Sequence, residues 1–345
     1  MNQLSSRRLT HLLRAARKVR VLIVGDLMLD RFIWGRVNRI SPEAPVPVVE
    51  FVQESSMPGG AANVARNLTA LGAQAEMFGV VGRDAQAAQL RRLLEENHVV
   101  CGGLVPSSRR ATSVKTRIIA SQQQVVRLDR ETNGPLEPTT ERALIRRIES
   151  RLEGVDAVIL GDYGKGVVSQ SLLDTLRDRC QARGIWLSLD PKPVHHLDLG
   201  GLSLITPNRK ETFELTGLAD TCRDPDPTQD PPLLQAAEQL MHELRPALLL
   251  VTLGEAGMLL CRRNCRPFHI PTVALEVFDV SGAGDTVIAA FTLAIAAGAS
   301  PAEAAILSNL AAGIVVGKVG TATVSPEELQ ANLHQVGSLV VPACE

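Results

Sequence analysis

The sequence lacks a surplus of either charge: 36 Lys and Arg are balanced by 37 Asp and Glu, a formal net charge of −1. A general nucleic-acid-binding protein normally carries a surplus of positive charge, so nucleic acid is not an expected partner. No apolar run approaches the roughly 18 residues that span a bilayer, and no signal-peptide core follows the basic segment at residues 1–20. We therefore expect a cytoplasmic protein without a membrane partner, in which any anion site is local.

The six cysteines lack the spacing of a metal site or of a redox pair. They lie at positions 101, 180, 222, 261, 265 and 344, with no CxxC pair and no histidine at zinc-finger spacing. Cys261 and Cys265 come closest to a motif, but without further partners they are interpreted as ordinary residues of a strand-turn-strand segment. Reduced, structural cysteines are predicted.

What the chain does contain is ample apolar material, 45% of 345 residues, arranged in alternating short and long segments. Short β-branched or Leu-rich runs predict strands at Val21–Gly25, Ala75–Val80, Ala157–Leu160, Ile185–Leu189, Leu202–Thr206 and Ala247–Val251. Segments of helical period predict helices at Ala61–Leu71, Ala85–Asn97, Gln170–Arg183, Leu233–Glu243, Asp285–Ala297 and Ala302–Val316. The alternation predicts an α/β fold with three layers, in which helices cover a central, mostly parallel sheet that binds ligands at the carboxyl ends of its strands.

Two segments, 31–53 and 113–129, interrupt this alternation because neither contains a crossover helix. The second consists of two period-2 runs around a polar turn, which is typical of a β-hairpin. Prolines at 42, 45 and 47 would confine the first segment to a sheet edge. We interpret both as a small β lid inserted in a single domain of residues 1–330, which leaves 331–345 as a C-terminal tail; residues 219–232 are interpreted as a surface loop.

Four short motifs follow predicted strands or begin predicted helices. The first, Asp279–Asp285, has the sequence DVSGAGD and precedes a helix rich in small residues. Its glycines leave backbone N–H groups unobstructed at the positive end of a helix dipole, which makes an anion-binding site. The alternative is that Asp285 is an ordinary carboxylate in the first turn of a helix. No GxxxxGK[ST] motif occurs, so a P-loop is excluded.

The other three motifs are each compatible with a purely structural role. Gly59 and Gly60 would let a ligand approach the backbone and Asn63 would face sugar hydroxyls, or the segment is a tight strand-helix turn. Asn208 and Glu211 could hold a hydrated Mg²⁺ through its waters, or they form a helix cap. The segment 252–257, TLGEAG, has a glycine turn that suits nucleotide contacts but is a weak signal alone.

The order of these motifs, GGAAN, NRKE, TLGEAG and DVSGAGD, resembles the ribokinase-like (PfkB) carbohydrate kinases over roughly residues 20–325. The resemblance implies an ATP- and Mg²⁺-dependent kinase in which Asp285 takes the proton of the acceptor hydroxyl. By the same resemblance, the anion hole is made by Gly282, Ala283 and Gly284. Mg²⁺ is positioned by Asn208 and Glu211. The nucleotide site is lined by Thr252, Gly254, Gly257 and Asn309. Some relatives also bind a monovalent cation, which here would lie near Asp279 and the loop 320–323.

Cationic residues in the lid segments indicate an anionic substrate, because Arg and Lys hold phosphate groups by charge-assisted contacts. Solvated surface charge is the alternative for each. The segments RISPEAPVPV, QQQVVRLDRE, GDYGKG and DPK resemble the D-glycero-β-D-manno-heptose 7-phosphate 1-kinases of ADP-heptose and lipopolysaccharide precursor synthesis. That resemblance implies sugar contacts from Asp30, Asn38, Gly59, Gly60, Asn63 and Asp162, and phosphate contacts from some of Lys115, Arg117, Arg127, Lys165 and Lys192. The proline in DPKP, where glycine often follows the lysine, leaves the placement of Lys192 open.

Three expectations remain open at this stage. The chain could instead be a kinase for another sugar or sugar phosphate, or a non-catalytic sugar- or nucleotide-binding regulator, although Asp285, Asn208 and Glu211 are all retained. Some heptose kinases carry a nucleotidyltransferase domain, and we expect that step to belong to another protein. Exposed lid edges predict a homodimer through the lid.

Overall fold

The computed structural model describes residues 4–120, 123–194, 196–273 and 277–333. Its strands in chain order are β1 Arg20–Gly25, β2 Leu27–Ile40, β3 Pro47–Gly60, β4 Gln74–Gly82, β5 Val100–Ser107, β6 Ser113–Ala120, β7 Gln123–Arg130, β8 Ala157–Gly161, β9 Trp186–Asp190, β10 Leu204–Ile205, β11 Leu248–Thr252, β12 Met258–Arg262 and β13 Phe268–Ile270. Its helices are α1 Ser6–Ala16, α2 Ala61–Ala70, α3 Ala85–Glu96, α4 Pro138–Glu149, α5 Gln170–Arg183, α6 Arg209–Thr216, α7 Pro231–Glu243, α8 Ala283–Ala296, α9 Pro301–Val315 and α10 Pro326–Asn332.

A nine-stranded sheet forms the centre, in the order β13-β12-β11-β10-β9-β8-β1-β4-β5. Pairing is parallel from β11 to β5, and only β12 and β13 pair antiparallel at one edge. Strands of a parallel sheet covered on both faces are apolar on both faces. Strand β1 shows this, because Val21 and Ile23 pack into one core while Leu22 and Val24 pack into the other.

Helices cover both faces of this sheet, as the alternating pattern predicts. One core holds buried side chains of α1, α2, α3, α8, α9 and α10, and the other holds those of α4, α5 and α7. The three-layer α/β/α prediction is therefore confirmed. None of the helices in the described part of the chain is long and apolar enough to cross a membrane.

A second sheet, in the order β3-β2-β6-β7, contains the two segments interpreted as a lid. Its strands reach further than the predicted bounds of 31–53, because β2 starts at Leu27, directly after β1, and β3 continues to Gly60, where α2 starts. Pro47 begins β3, which is an edge strand, while Pro42 and Pro45 lie in the connection. The lid therefore joins the main sheet at Asp26 and joins helix α2 at the GGAAN motif.

Helix α1 was not predicted, although its amphipathic character is visible in the sequence. Leu9, Leu12 and Leu13 are buried against the core. Arg8 donates to Glu303 on α9 at 2.8 Å, an ion pair between residues almost 300 positions apart that the sequence pattern does not contain.

The cysteine prediction holds for four residues and is wrong for one. Cys101, Cys180 and Cys261 are buried free thiols and Cys222 is an exposed one. Cys265 is disulfide-bonded, and the prediction for Cys344 lies outside the described residues. Spacing within the chain could not reveal that pairing, because a disulfide depends on three-dimensional proximity.

Candidate active site

The first turn of α8 presents unpaired backbone amides to the site. Gly282 caps the helix at φ 79°, a left-handed conformation that favours glycine. A Cβ at Gly282 would lie 2.6 Å from Nδ2 of Asn63, whereas a Cβ at Gly284 would meet nothing within 4 Å. Within the described residues, no hydrogen bond satisfies the N–H groups of Gly282, Gly284 or Asp285, as an anion site requires.

Ala283 differs from its neighbours in this turn. Its N–H donates to the carbonyl oxygen of Val280 at 3.2 Å. The expectation that the Ala283 amide is part of the anion hole is therefore corrected, because that donor already has an acceptor. The free donors are the amides on either side of it and that of Asp285.

Asp285 lies directly behind these amides and is buried. Its Oδ2 accepts a hydrogen bond from Nδ2 of Asn63 at 2.8 Å, and its Oδ1 accepts one from the hydroxyl of Tyr163. Burial raises the pKa of Asp285 to about 6; these two hydrogen bonds and the nearby Lys115 oppose the rise, and Asp30 adds to it. A carboxylate that still ionises near neutral pH suits a general base.

Tyr163 and Asp26 are the residues of this site that the sequence reading missed. Asp26 is buried at the end of β1 and accepts the backbone N–H groups of Tyr163, Lys165 and Val167 at 3.0, 2.9 and 3.1 Å. Burial raises the pKa of Asp26, and the three N–H donors oppose that rise. Asp26 could have been identified because an acidic residue follows an apolar strand directly. Tyr163 lies within the GDYGKG segment of the heptose-kinase resemblance.

The GGAAN motif contributes Asn63 and two glycines that stand against the lid. A Cβ at Gly59 would lie 2.0 Å from Oδ2 of Asp30, and Gly60 takes φ 59° at the entrance to α2. Oδ1 of Asn63 is buried and has no hydrogen-bond partner among the described residues. The structure thus brings Gly59, Gly60, Asn63 and Asp30 together beside Asp285.

Charged side chains lie together on one face of the lid sheet, next to the residues just described. Asp30 on β2 lies across from Lys115 on β6, which lies across from Asp129 on β7. Two residues further along each strand, and so on the same face, the next row is Phe32, Arg117 and Arg127. Arg117 donates to Asp30 at 2.6 Å and lies over the ring of Phe32.

Lys115 of the lid lies near Asp285, and Lys165 of the GDYGKG turn lies near Lys115. Burial lowers the pKa of Lys115, and the ammonium of Lys165 lowers it further, while Asp129 and Asp30 oppose the shift. Lys165 forms an ion pair with Glu131 at 2.5 Å, although its side chain is only 13% exposed. Two close ammonium groups, each half-buried, are the arrangement that a bound anion would stabilise.

One residue predicted to bind the substrate, Asn38, lies away from this cluster. Asn38 is exposed near the far end of β2 and bonds to Glu50 at 3.0 Å. It lies eight residues beyond Asp30, about 26 Å along an extended strand, so one sugar cannot contact both within one chain. Strand alternation places a residue on a face but not at a depth along it, so the pattern could not show how far Asn38 lies from Asp30.

Arg127 stays beside Arg117 and its charge lowers the pKa of Lys115. Its side chain is exposed and forms a two-pronged pair with Asp129 at 3.0 Å.

Asp162 and Lys192 flank the site in different ways. Asp162 is buried after β8, and its carboxylate accepts the N–H of Gly164 at 2.9 Å, which shapes the GDYGKG turn. Lys192 is exposed beyond β9 and pairs with Glu211 at 3.1 Å. Lys192 therefore faces the proposed metal side rather than the lid lysines.

Asn208 and Glu211 form the helix cap that was the alternative to a metal site. The Asn208 side chain accepts the N–H of Glu211 at 2.9 Å, and Glu211 accepts that of Asn208 at 3.0 Å. Asp190, at the end of β9, lies near both Glu211 and Asp285, and burial and those two carboxylates raise its pKa well above its usual range. These neighbouring carboxyl groups fit a cation beside them.

A cavity of about 420 Å³ adjoins the anion hole on the other side of α8. It is lined by Thr252, Gly254 and Gly257 after β11, by Asn309 on α9, and by Ala283 and Gly284. Asn208 bridges to Thr252, so the metal candidates lie beside this cavity. The four residues expected to contact a nucleotide are therefore in one place, open to the free amides of α8.

The loop after α9 closes on the DVSGAGD motif. Asp279 accepts the N–H groups of Ser281 at 2.9 Å and of Gly320 at 3.1 Å. Arg66 donates to the carbonyl oxygen of Thr321 and Lys318 donates to that of Thr323, at 2.6 and 2.8 Å. Oγ1 of Thr321 is buried without a partner among the described residues.

Comparison with known proteins decides the family. A family model described as pfkB family carbohydrate kinase matches residues 18–328. The chain belongs to the pfkB family of carbohydrate kinases.

Other pfkB-type proteins are similar over nearly the whole chain. The bifunctional protein HldE of Citrifermentans bemidjiense is 44% identical over 92% of this chain, and that of Caulobacter vibrioides 46% over 94%. The chain spans 64% and 65% of the length of these two relatives.

Solved structures confirm the ribokinase-like fold. Arabidopsis thaliana ribokinase with ribose and ATP has a TM-score of 0.69 at 19% identity, covering 91% of this chain and 98% of that one. Escherichia coli phosphofructokinase-2 with substrates and products has a TM-score of 0.76 at 21% identity, covering 92% and 99%.

Asp285→Asn tests the buried carboxylate twice. The pKa of Asp285 is about 3.9 in the unfolded chain and about 6 in the native protein. Between these two pH values the native state binds a proton that the unfolded chain has lost. The free energy of unfolding therefore falls as pH rises through this window, and the loss persists at neutral pH. We expect kcat of the pfkB kinase to fall by about 10²–10⁴-fold, and the free energy of unfolding at pH 7.5 to rise by about 1–3 kcal/mol. Kinetics and urea unfolding measure both.

Asp178→Asn is the matched control, because Asp178 is an exposed carboxylate on α5. It should change neither quantity. Turnover by the Asp285 variant equal to that of the unmodified protein would exclude Asp285 as the base.

Proposed function

We propose that the protein transfers the γ-phosphate of ATP to the anomeric 1-hydroxyl of D-glycero-β-D-manno-heptose 7-phosphate, giving the 1,7-bisphosphate for ADP-heptose and lipopolysaccharide core synthesis. The observation that carries the proposal is 44–46% identity, over more than nine-tenths of the chain, to bifunctional proteins named HldE, together with the segments that resemble heptose 7-phosphate kinases. Because the chain spans less than two thirds of those relatives, the proposal concerns the kinase reaction alone. ATP as donor favours action in the cytoplasm, and fractionation of cells measures that location.

In the proposed reaction, each part of the site has its own role. ATP would occupy the 420 Å³ cavity against Thr252, Gly254, Gly257 and Asn309, with its γ-phosphate at the free amides of Gly282, Gly284 and Asp285. The sugar O1 forms a bond to the γ-phosphorus, the bond from that phosphorus to the β-γ bridging oxygen breaks, and ADP leaves with that electron pair. Asp285 takes the O1 proton. Positioning and charge stabilisation contribute most to such transfers.

The sugar phosphate would lie between the GGAAN motif and the lid. Asn63 has a buried, unpaired carbonyl oxygen beside Asp285 that can accept a sugar hydroxyl. Gly59 and Gly60 would leave the backbone accessible to the sugar. Asp30 and Asp162 would lie at the edges of the same sugar site. Lys115 and Lys165 are the best placed cations for the 7-phosphate, because they are half-buried and close to each other. Arg117 lies one row behind them, while Lys192 would face the transferred phosphate.

A panel of sugars with ATP tests the substrate. We expect phosphorylation of heptose 7-phosphate with kcat/KM at least about 100-fold above that for fructose 6-phosphate, ribose and unphosphorylated heptose, since a phosphate contributes about 3 kcal/mol or more through two charge-assisted contacts. Coupled ADP assays and mass spectrometry of the product measure this.

Lys115→Ala and Lys165→Ala should raise KM for the sugar phosphate more than for ATP. Preference for another sugar would assign the protein to another pfkB activity. Failure to turn over any sugar, with binding retained, would make it a non-catalytic regulator.

Mg²⁺ would be held by water contacts to Asn208 and Glu211, where it would neutralise phosphate charge. Glutamine at position 211 can preserve the capping box while removing the charge. Glu211→Gln should therefore raise the Mg²⁺ concentration for half-maximal rate about tenfold, with unfolding temperature unchanged. An unchanged Mg²⁺ requirement would remove Glu211 from the metal site.

A monovalent cation near Asp279 and the loop 320–323 is a separate proposal, supported by the Asp279 carboxylate and the unpaired hydroxyl of Thr321. If it binds there, KCl raises kcat relative to tetramethylammonium chloride at equal ionic strength. Equal rates in the two salts contradict the proposal.

We propose a homodimer through the lid, supported by large apolar side chains that its strands expose: Phe51 is 66% and Leu128 64% exposed. Light scattering should give twice the 37.1 kDa of one chain. Phe51→Ser with Leu128→Ser should shift the mass toward the monomer, whereas Val100→Ser, which removes an exposed valine from β5, should not. A monomer in the unmodified protein excludes the proposal.

A further inference from the structure

Tyr163 is the only tyrosine among 345 residues, and it stands beside the carboxylate that takes the substrate proton in the proposed kinase reaction. Two glycines make room for its ring. A Cβ at Gly161 would lie 3.0 Å from Cε2 of Tyr163, and a Cβ at Gly60 would lie 3.4 Å from Cδ2. The ring is therefore held between the GGAAN motif and the end of β8.

The backbone of Tyr163 is fixed independently of its ring. Asp26 accepts its N–H at 3.0 Å and also accepts those of Lys165 and Val167. Three donors on one buried carboxylate leave the 163–167 turn little freedom. The hydroxyl then reaches Oδ1 of Asp285, while Asn63 holds Oδ2.

We propose that Tyr163 is a positioning residue for the proton transfer: its hydroxyl donates to Oδ1 of Asp285 and thereby keeps that carboxylate ionised and aimed while the acceptor hydroxyl approaches. The inference rests on the proposed kinase function. Tyr163 gives up no proton itself, because burial and the carboxylates of Asp285 and Asp190 raise its pKa well above the usual value. It acts as a neutral donor across the working pH range.

Charged groups from every surrounding element act on the same carboxylate. Asp30 on β2 raises the pKa of Asp285 and Lys115 on β6 lowers it, and the carboxylate of Asp190 at the end of β9 stands near it. Asp26, at the end of β1, acts on Tyr163, whose pKa it raises. Tyr163 is neutral, so its hydroxyl can be removed without a change of charge at the site.

Tyr163→Phe supplies the kinetic test. Removing a donor from the ionised form raises the pKa of Asp285, so the acid limb of kcat/KM moves to higher pH. A shift of about one unit from a limb near pH 6 makes the variant about ninefold slower at pH 5 but only about 1.1-fold slower at pH 8. KM for ATP should stay constant. A loss of equal size at every pH, or an unmoved limb, overturns the proposal.

The single tyrosine allows a second test that needs no substrate. With 3-fluorotyrosine incorporated, the protein should give one fluorine resonance, which we expect to titrate near pH 6 as Asp285 gains its proton, with the same midpoint as the acid limb. In Asp285→Asn that titration should disappear, and in Asp178→Asn it should persist.

A resonance that ignores pH between 4 and 8, or titrates unchanged in Asp285→Asn, contradicts the contact whatever sugar the enzyme uses. A normal fluorine titration with no activity on any sugar would instead retain the contact and remove the proposed function. The titration also decides the proposal if Tyr163→Phe fails to fold.

Discussion

The buried carboxylate of Asp285 is the constraint on which the rest of the site depends. An ionised group without compensation is costly in an apolar interior, and this one lies at the start of a helix whose body is packed in the core. Hydrogen bonds from Asn63 and Tyr163 supply the compensation. Since these donors come from α2 and from the turn after β8, the carboxylate on α8 is compensated only when the fold brings all three segments together.

The glycines of the motifs follow from that convergence. Gly60 and Gly161 leave space for the Tyr163 ring, and Gly282 lets Asn63 pass within bonding distance of Asp285. Each glycine therefore serves a neighbour from a distant part of the chain. Side chains at these positions would separate the donors from the carboxylate and leave it buried with its charge uncompensated, so the motif glycines and the base form one unit.

The sequence was sufficient for what depends on local pattern. The helix at Gln170–Arg183 was predicted with the bounds it has, because a serine cap and a terminal glycine mark both ends. Asp285, Asn63 and three residues that line the cavity, Thr252, Gly254 and Gly257, could be named because short motifs contain them. The Tyr163 contact and the Arg8–Glu303 pair could not, since each joins residues more than a hundred positions apart. The depth of Asn38 along its strand was equally invisible to a period-2 pattern.

Charge is distributed unevenly around the reaction centre, and this unevenness favours a substrate with two separated anionic groups. Asp190, Glu211 and Asp285 lie near one another on one side, where Lys192 opposes the pKa rise of Asp190 and Lys115 that of Asp285. Lys115 and Lys165 repel each other on the lid side, where Glu131 and Asp129 compensate only in part. A cation with nucleotide phosphates relieves the first side, and a phosphate on the sugar relieves the second. A neutral sugar would leave the lysine repulsion in place, so the lid gains most from closing over a sugar that is already phosphorylated.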